Sequence, residues 1–273
     1  MAQNHGSRVN EPDSKQRALN QLAAQGFTQG SIYDAGRPSY SGDAVNFLVA
    51  SLGIGPGCRV ADIGAGTGKF TEKLLGCGAE VVAIEPSPDM RRTFTQRHSD
   101  VEMLAGTGER IPLPDNSCDA VVVAQAFHWF EPRQSLREIT RVLTATGRLG
   151  LIWNERDESE SWVAALSEAM QWTTRQPYRV GTDFSEVVRA NSDFCFVERR
   201  RFHFAEEMDH VRLRQRVLST SYISAAPAAE RDEIMSQVDR IIDTLPVRVA
   251  MPYVADTYVC SRTSFAESVV EAS

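Results

Sequence analysis

The sequence predicts an α/β protein built on a doubly wound, mostly parallel, seven-stranded sheet, and three observations carry that prediction. From Cys58 onward, short apolar runs alternate with helical patterns, the signature of parallel strands covered on both faces. One of those runs, Ala120-Val121-Val122-Val123-Ala124, has no polar position, as an interior strand buried on both faces requires. Finally, Val60-Ala61-Asp62-Ile63 leads straight into Gly64-Ala65-Gly66-Thr67-Gly68-Lys69-Phe70, which reads as strand, tight turn and helix.

Taken in order, residues 1–40 form an N-terminal segment: a polar stretch, a short helix at 14–25, and a loop punctuated by Gly36 and Pro38 that carries Tyr33, Arg37 and Tyr40. Aromatic and cationic groups on such a loop suit a cover over a ligand. The main domain, 41–273, opens with a helix at 41–52 capped by Ser41 or Asp43, with Ala44, Val45, Phe47, Leu48 and Leu52 near one face. Strands are predicted at 59–63, 81–85, 101–104, 120–124 and 148–154, with helices at 69–75, 88–98 and 132–143 between them. A helix at 160–174 follows. The stretch 194–204 alternates, with Phe194, Phe196, Arg200, Phe202 and Phe204 sharing parity, and reads as the sixth strand. Two helices, at 211–222 and 228–245, then precede a seventh strand at 253–260. They predict a helical lid over about 206–246, inserted between the last two strands.

Composition bounds the partners. The 273 residues are 42% hydrophobic and 24% charged, enough for one core with a small appended subdomain. A formal charge of -7 disfavours a broad basic surface for nucleic acid or anionic lipid. Arg199-Arg200-Arg201 therefore reads as a solvated strand end rather than a phosphate clamp. The five cysteines are odd in number and lack a C-x-x-C pair, so reduced thiols and no metal site are expected. No apolar run approaches the roughly 18 residues of a membrane span, and residues 1–13 lack the order of a signal peptide. A cytoplasmic protein, monomer or homodimer, with no membrane partner is the expectation.

The glycine turn discriminates among ligands by spacing. A phosphate loop needs four residues between its glycines and Ser or Thr after the lysine, but three separate Gly64 from Gly68, and Phe70 follows Lys69. The dinucleotide pattern G-x-G-x-x-G requires glycine where Lys69 stands, which leaves a nicotinamide oxidoreductase as a weak alternative. Glu85, closing the second strand ahead of Pro86, is placed to accept hydrogen bonds from ribose hydroxyls.

Asp62 with Gly64, Gly66 and Gly68 resembles the first motif of the class I S-adenosylmethionine-dependent methyltransferases. The likeness extends over most of the chain, to the small-molecule, type 11-like members. Gly106 to Asp115 is similar to their adenine-contacting loop, with Gly108 where alanine is common. Gln125-Ala126-Phe127-His128-Trp129 resembles the end of their fourth strand, Trp153-Asn154 that of the fifth, and Tyr33 with Arg37-Pro38-Ser39-Tyr40 their N-terminal Y-x-x-x-R-P-x-Y element. Ser41 and Ala145-Thr146-Gly147 depart from the usual proline and P-G-G.

The resemblance implies a Rossmann-like methyltransferase fold, S-adenosyl-L-methionine as cofactor, and methyl transfer to a hydroxyl or carboxylate oxygen of a small molecule. The cofactor would lie against Tyr33, Arg37, Asp62, Gly64, Ala65, Gly66, Gly68, Glu85, Pro86, Gly108, Glu109 and Gln125. His128 is the candidate base, with a wall of the pocket as its other reading. Trp129, Trp153, Asn154, Arg156 and Tyr222 are candidates to line an acceptor pocket under the lid. A non-catalytic sensor of S-adenosylmethionine or S-adenosylhomocysteine is the alternative from a different class.

Overall fold

The computed structural model describes residues 37–175 and 183–263; the expected helix at 14–25 and Tyr33 lie outside the described residues. Seven strands, β1 (Arg59–Ile63), β2 (Glu80–Ile84), β3 (Glu102–Leu104), β4 (Cys118–Ala124), β5 (Leu143–Arg156), β6 (Phe194–Asp209) and β7 (Arg248–Arg262), form one sheet in the order β3-β2-β1-β4-β5-β7-β6. β1 to β5 pair in parallel, while β7 runs antiparallel to both β5 and β6. Strand order reverses between β1 and β4. Connections leave in opposite directions there and open a crevice beyond the carboxyl ends of those strands.

The helices α1 (Gly42–Leu52), α2 (Thr71–Leu75), α3 (Pro88–Arg97) and α4 (Pro132–Val142) cover this half of the sheet. Alternate residues of β1 and β4 feed separate cores. Ala61, Ile63, Val121 and Val123 pack with Leu136 and Ile139 of α4, whereas Val60, Ala120 and Val122 pack with Leu48 of α1 and Leu74 of α2. That two-sided burial is why the β4 run is apolar throughout, each large side chain contributing roughly 1.5–3 kcal/mol. Local chemistry starts two of the helices. Ser87 accepts from the Met90 N–H ahead of α3, and Glu131 accepts from Arg133 and Gln134 ahead of α4, each followed by proline at the first helical position. Ser41, by contrast, precedes α1 without a side-chain cap bond.

The lid differs in detail from the expectation. Three helices, α8 (His210–Leu218), α9 (Ser221–Ser224) and α10 (Ala228–Ile242), lie between β6 and β7, after α5 (Ser161–Ala169), α6 (Trp172–Arg175) and α7 (Phe184–Arg189) between β5 and β6. The helix expected at 211–222 breaks at Ser219-Thr220, and the one at 160–174 breaks where Gln171 takes a left-handed φ of 53°. Val163 and Leu166 of α5, Leu213 and Val217 of α8, and Ile234 and Val238 of α10 make a third core with Met251 and Tyr253. Because that core continues past the sheet, β6 and β7 are longer than their sequence patterns.

The shared parity of the β6 phenylalanines does not survive. Register shifts between Phe196 and Glu198, so Phe194 and Phe196 join the α4-side core while Phe202 and Phe204 face the α1 side. One extra residue in a strand reverses the faces of everything after it. The three arginines are not simply solvated: Arg199 pairs with Asp256 and Asp183, Arg200 with Glu198, and Arg201 with Asp256.

Candidate active site

The turn after β1 is tied to the next strand: Gly64 and Ala65 both donate to the Ile84 carbonyl, at 2.8 and 3.1 Å. Gly64 has φ 73°, and a Cβ there would stand 2.6 Å from that of Ala126, so any side chain would drive the turn off the β4 end. Gly66, at φ 58°, has no atom within 4 Å of the corresponding position. Its bare backbone therefore faces open space, which suits close approach of a ligand. Gly68 instead packs under Phe94 and His98.

That open space is a cavity of about 590 Å³ at the β1/β4 crevice. Its polar lining includes Arg37, Asp62, Thr67, Lys69, Glu85, Ser87 and Gln125, and its apolar wall Phe70, Met90, Ala126, Trp129 and Phe130. Asp62 is fully buried; its Oδ2 accepts from Thr71 Oγ1 at 2.6 Å, while Oδ1 is buried with no partner. Burial, with Glu85 nearby, lifts its carboxyl from 3.8 to about 7 against the opposing Thr71 bond. Glu85 accepts from the Gly66 N–H at 3.0 Å and the Ser87 N–H at 2.8 Å, and burial raises its carboxyl too.

Gln125 ends β4 at a left-handed φ of 59°, donating its N–H to the Ile152 carbonyl at 2.8 Å. Strain of this kind in a non-glycine residue is stored where a side chain must be aimed. Residues 37–40 lie against the same cavity. Lys69 Nζ donates to the Arg37 carbonyl, Asn154 Nδ2 to that of Ser39, and Tyr40 meets Phe70 edge to face.

Of the residues singled out from sequence, Arg37, Asp62, Gly64, Ala65, Gly66, Glu85, Pro86, Gln125 and Trp129 line the cavity. Gly108 stands behind it: a Cβ there would lie 2.5 Å from the Phe130 ring, which explains glycine at this position. Glu109 is spent on the start of α4, accepting from the Glu131 N–H at 2.7 Å. His128 lies outside the lining, its Nδ1 accepting from Trp153 Nε1 at 3.2 Å. Trp153 is buried, stacked on Phe184 at 3.9 Å, and Tyr222 donates to the Met170 carbonyl inside the lid. Arg156, the last residue of β5, reaches toward the lid, its Nε donating to Ser167 Oγ at 3.1 Å. Thr67, Lys69, Phe70, Ser87, Met90 and Phe130 were not singled out as ligand contacts. Ser87-Pro88 carried a usable signal, a cap and proline starting a helix directly after a strand. Lys69, read as a solvated helix residue, instead precedes α2 and reaches the N-terminal loop.

Comparison with known proteins places these features in a lineage. A family profile described as a methyltransferase domain matches residues 61–151. Rv3342 of Mycobacterium tuberculosis, an uncharacterized methyltransferase, is 37% identical over 239 residues, covering 86% of this chain and 93% of its own. The methyltransferase-like protein C25B8.10 of Schizosaccharomyces pombe is 30% identical over 216 residues, covering 78% and 84%. Among solved structures, YcgJ of Bacillus subtilis is 17% identical with a TM-score of 0.51, covering 82% of this chain and 99% of its own, a likeness of fold.

Proposed function

The chain belongs to the S-adenosylmethionine-dependent methyltransferases, and from that premise we propose that it moves a methyl group to a hydroxyl or carboxylate oxygen of a small molecule. The observation that carries the reading is the cavity at the β1/β4 crevice, where the open Gly66 backbone, the unpartnered Asp62 Oδ1 and the Glu85 carboxylate converge. Its volume suits a nucleoside-sized ligand. These groups fit the cofactor: an unpaired buried carboxylate for its ammonium, a second carboxylate at a strand end for its ribose hydroxyls, and apolar surface for its adenine.

When bound, S-adenosylmethionine supplies a methyl group already activated on a sulfonium. The protein then has to position and to exclude water, which together remove roughly 7–11 kcal/mol from such a barrier. We assign the 64–68 turn and Asp62 to the methionine end, Arg37 to its carboxylate, Glu85 to the ribose, and Phe130 with Met90 to the apolar wall. Both Glu85 oxygens retain lone pairs after accepting from Gly66 and Ser87, so each can take a further donor.

His128 fits a support behind the pocket wall better than a base. An indole N–H only donates, so Nδ1 is the acceptor in the Trp153 bond and the ring proton resides on Nε2. The ring then has no lone pair left to receive a proton. A carboxylate acceptor, which is already an anion, needs none.

Calorimetric titration tests the reading. S-adenosylmethionine should bind, and Glu85→Ala should weaken it by about tenfold to a hundredfold, the worth of one charge-assisted hydrogen bond. Tight NAD binding without response to S-adenosylmethionine would sink it. Cofactor binding with no S-adenosylhomocysteine released across a broad acceptor library would favour the sensor.

A further inference from the structure

Beyond the carboxyl end of β5, two cations meet at the lid, Arg216 buried and Arg156 half-buried. Arg216 of α8 is 5% exposed, and its Nη1 is buried with no partner; its Nε donates to Tyr253 Oη at 3.2 Å. Arg156 stands opposite the same Tyr253 in the β5/β7 register, and the Arg216 charge acts on the Arg156 guanidinium. Arg156 Nε donates to Ser167 Oγ at 3.1 Å, its Cζ sits 4.3 Å from the Trp172 ring centre, and its Nη2 is buried without a partner. Thr220 Oγ1, four residues past Arg216, is buried and unpartnered too. Among the described residues no ion pair joins either guanidinium to a carboxylate; Glu155 reaches Arg156 only through its field. Burial and the neighbouring Arg216 charge push Arg156 down to about 10.

Two like charges side by side, one buried and one half-buried and each with a buried unmet donor, form an arrangement that a protein interior otherwise avoids. An anion supplies what both lack. Its location fits an acceptor. Gln125, which lines the cavity, donates from Nε2 to the Asn154 carbonyl, and Arg156 lies two residues further along the same strand, roughly 7 Å at strand spacing.

We propose that Arg156 and Arg216 bind a carboxylate under the lid and so select an organic acid as the methyl acceptor. The proposal rests on the methyltransferase reading for the word acceptor, but its anion site stands without the cofactor. A planar carboxylate meets guanidinium forks in pairs, which a single hydroxyl cannot. The anchored carboxylate, its lone pairs taken by N–H donors, is a handle, and a second carboxylate oxygen of the same molecule, an anion with no proton to lose, receives the methyl group as its bond to the sulfonium sulfur breaks.

The test is titration of the intact protein with benzoate, succinate and citrate against chloride at matched ionic strength, beside a separate S-adenosylmethionine titration. At least one acid should bind saturably. Arg156→Gln and Arg216→Gln should each weaken it by about tenfold to a hundredfold while the S-adenosylmethionine affinity stays within about twofold. Should a glutamine variant not fold, Arg156→Lys, which keeps the charge and loses the fork, should still weaken the acid measurably. The proposal is overturned if no acid binds beyond chloride, if binding is indifferent to all of these substitutions, or if inorganic phosphate binds more tightly than every acid. Failure of S-adenosylmethionine to bind the wild-type protein would instead count against the methyltransferase assignment and leave the acid titration standing.

Discussion

Asp62 offers a test in which stability and ligand affinity move in opposite directions. Its carboxyl is lifted from 3.8 to about 7 by burial, so at ~1.36 kcal/mol per decade its ionised form is disfavoured by about 4 kcal/mol in the folded protein. A group whose folded value lies above its unfolded one adds stability that is fully present below pH 4 and is lost as pH rises through about 7. Asp62→Asn keeps an acceptor for Thr71 Oγ1 and cannot ionise. It should therefore raise the melting temperature at pH 8 by roughly 8–16 °C, taking about 4 kcal/mol at roughly 2–4 °C per kcal/mol, and change it far less at pH 4.5. Binding should behave oppositely. A ligand ammonium beside Asp62 favours the carboxylate, so S-adenosylmethionine affinity of the wild type should fall by about tenfold from its plateau at one pH unit below the folded value. In the asparagine variant affinity should be weaker at pH 7.5 and flatter between pH 5.5 and 7.5. Differential scanning fluorimetry and calorimetry on the apo protein and the complex read both effects. A wild-type affinity independent of pH over that range, or a variant less stable than wild type at pH 8, would refute the reasoning.

Two further substitutions separate roles. Gly108→Ala should push the Phe130 ring into the cavity and weaken S-adenosylmethionine by about tenfold, with Phe130→Leu in the same chain restoring most of the loss; unaltered affinity in the single variant would show that the 2.5 Å approach relaxes elsewhere. His128→Ala should lower kcat by less than about tenfold and act mainly on KM, because its Nδ1 is committed to Trp153. A fall of about a hundredfold or more in kcat, with loss of one limb of the pH profile, would make it the base.

The residues that were legible in advance share a property: each is placed by a short stretch of backbone. The 59–63 strand, its glycine turn and the Glu85 strand end are local patterns, and strand alternation carries their side chains to one end of a parallel sheet whatever the rest of the chain does. The interior place of the 120–124 strand followed for the same reason, since an apolar run without polar positions suits burial on both faces, whereas the strand order came from the structure. Gly108 was visible but inexplicable, because its constraint is the Phe130 ring more than twenty residues away. The parity of Phe194 and Phe204 misled, because the bulge after Phe196 adds a residue that no pattern of hydrophobicity marks.

Sequence by itself thus determined the strand–helix alternation and the glycine turn, and its spacing set two ligand classes aside, because these depend on spacing along the chain and on backbone conformations that few residues tolerate. Tertiary structure alone decided which hydrogen bonds the polar groups retain. It gave the His128 lone pair to Trp153, drew Lys69 to the N-terminal loop, and left Asp62, Arg156 and Arg216 each with a buried atom unmet. Whether a polar atom is satisfied depends on neighbours brought together from distant segments, and its desolvation is a property of the folded interior rather than of the residue.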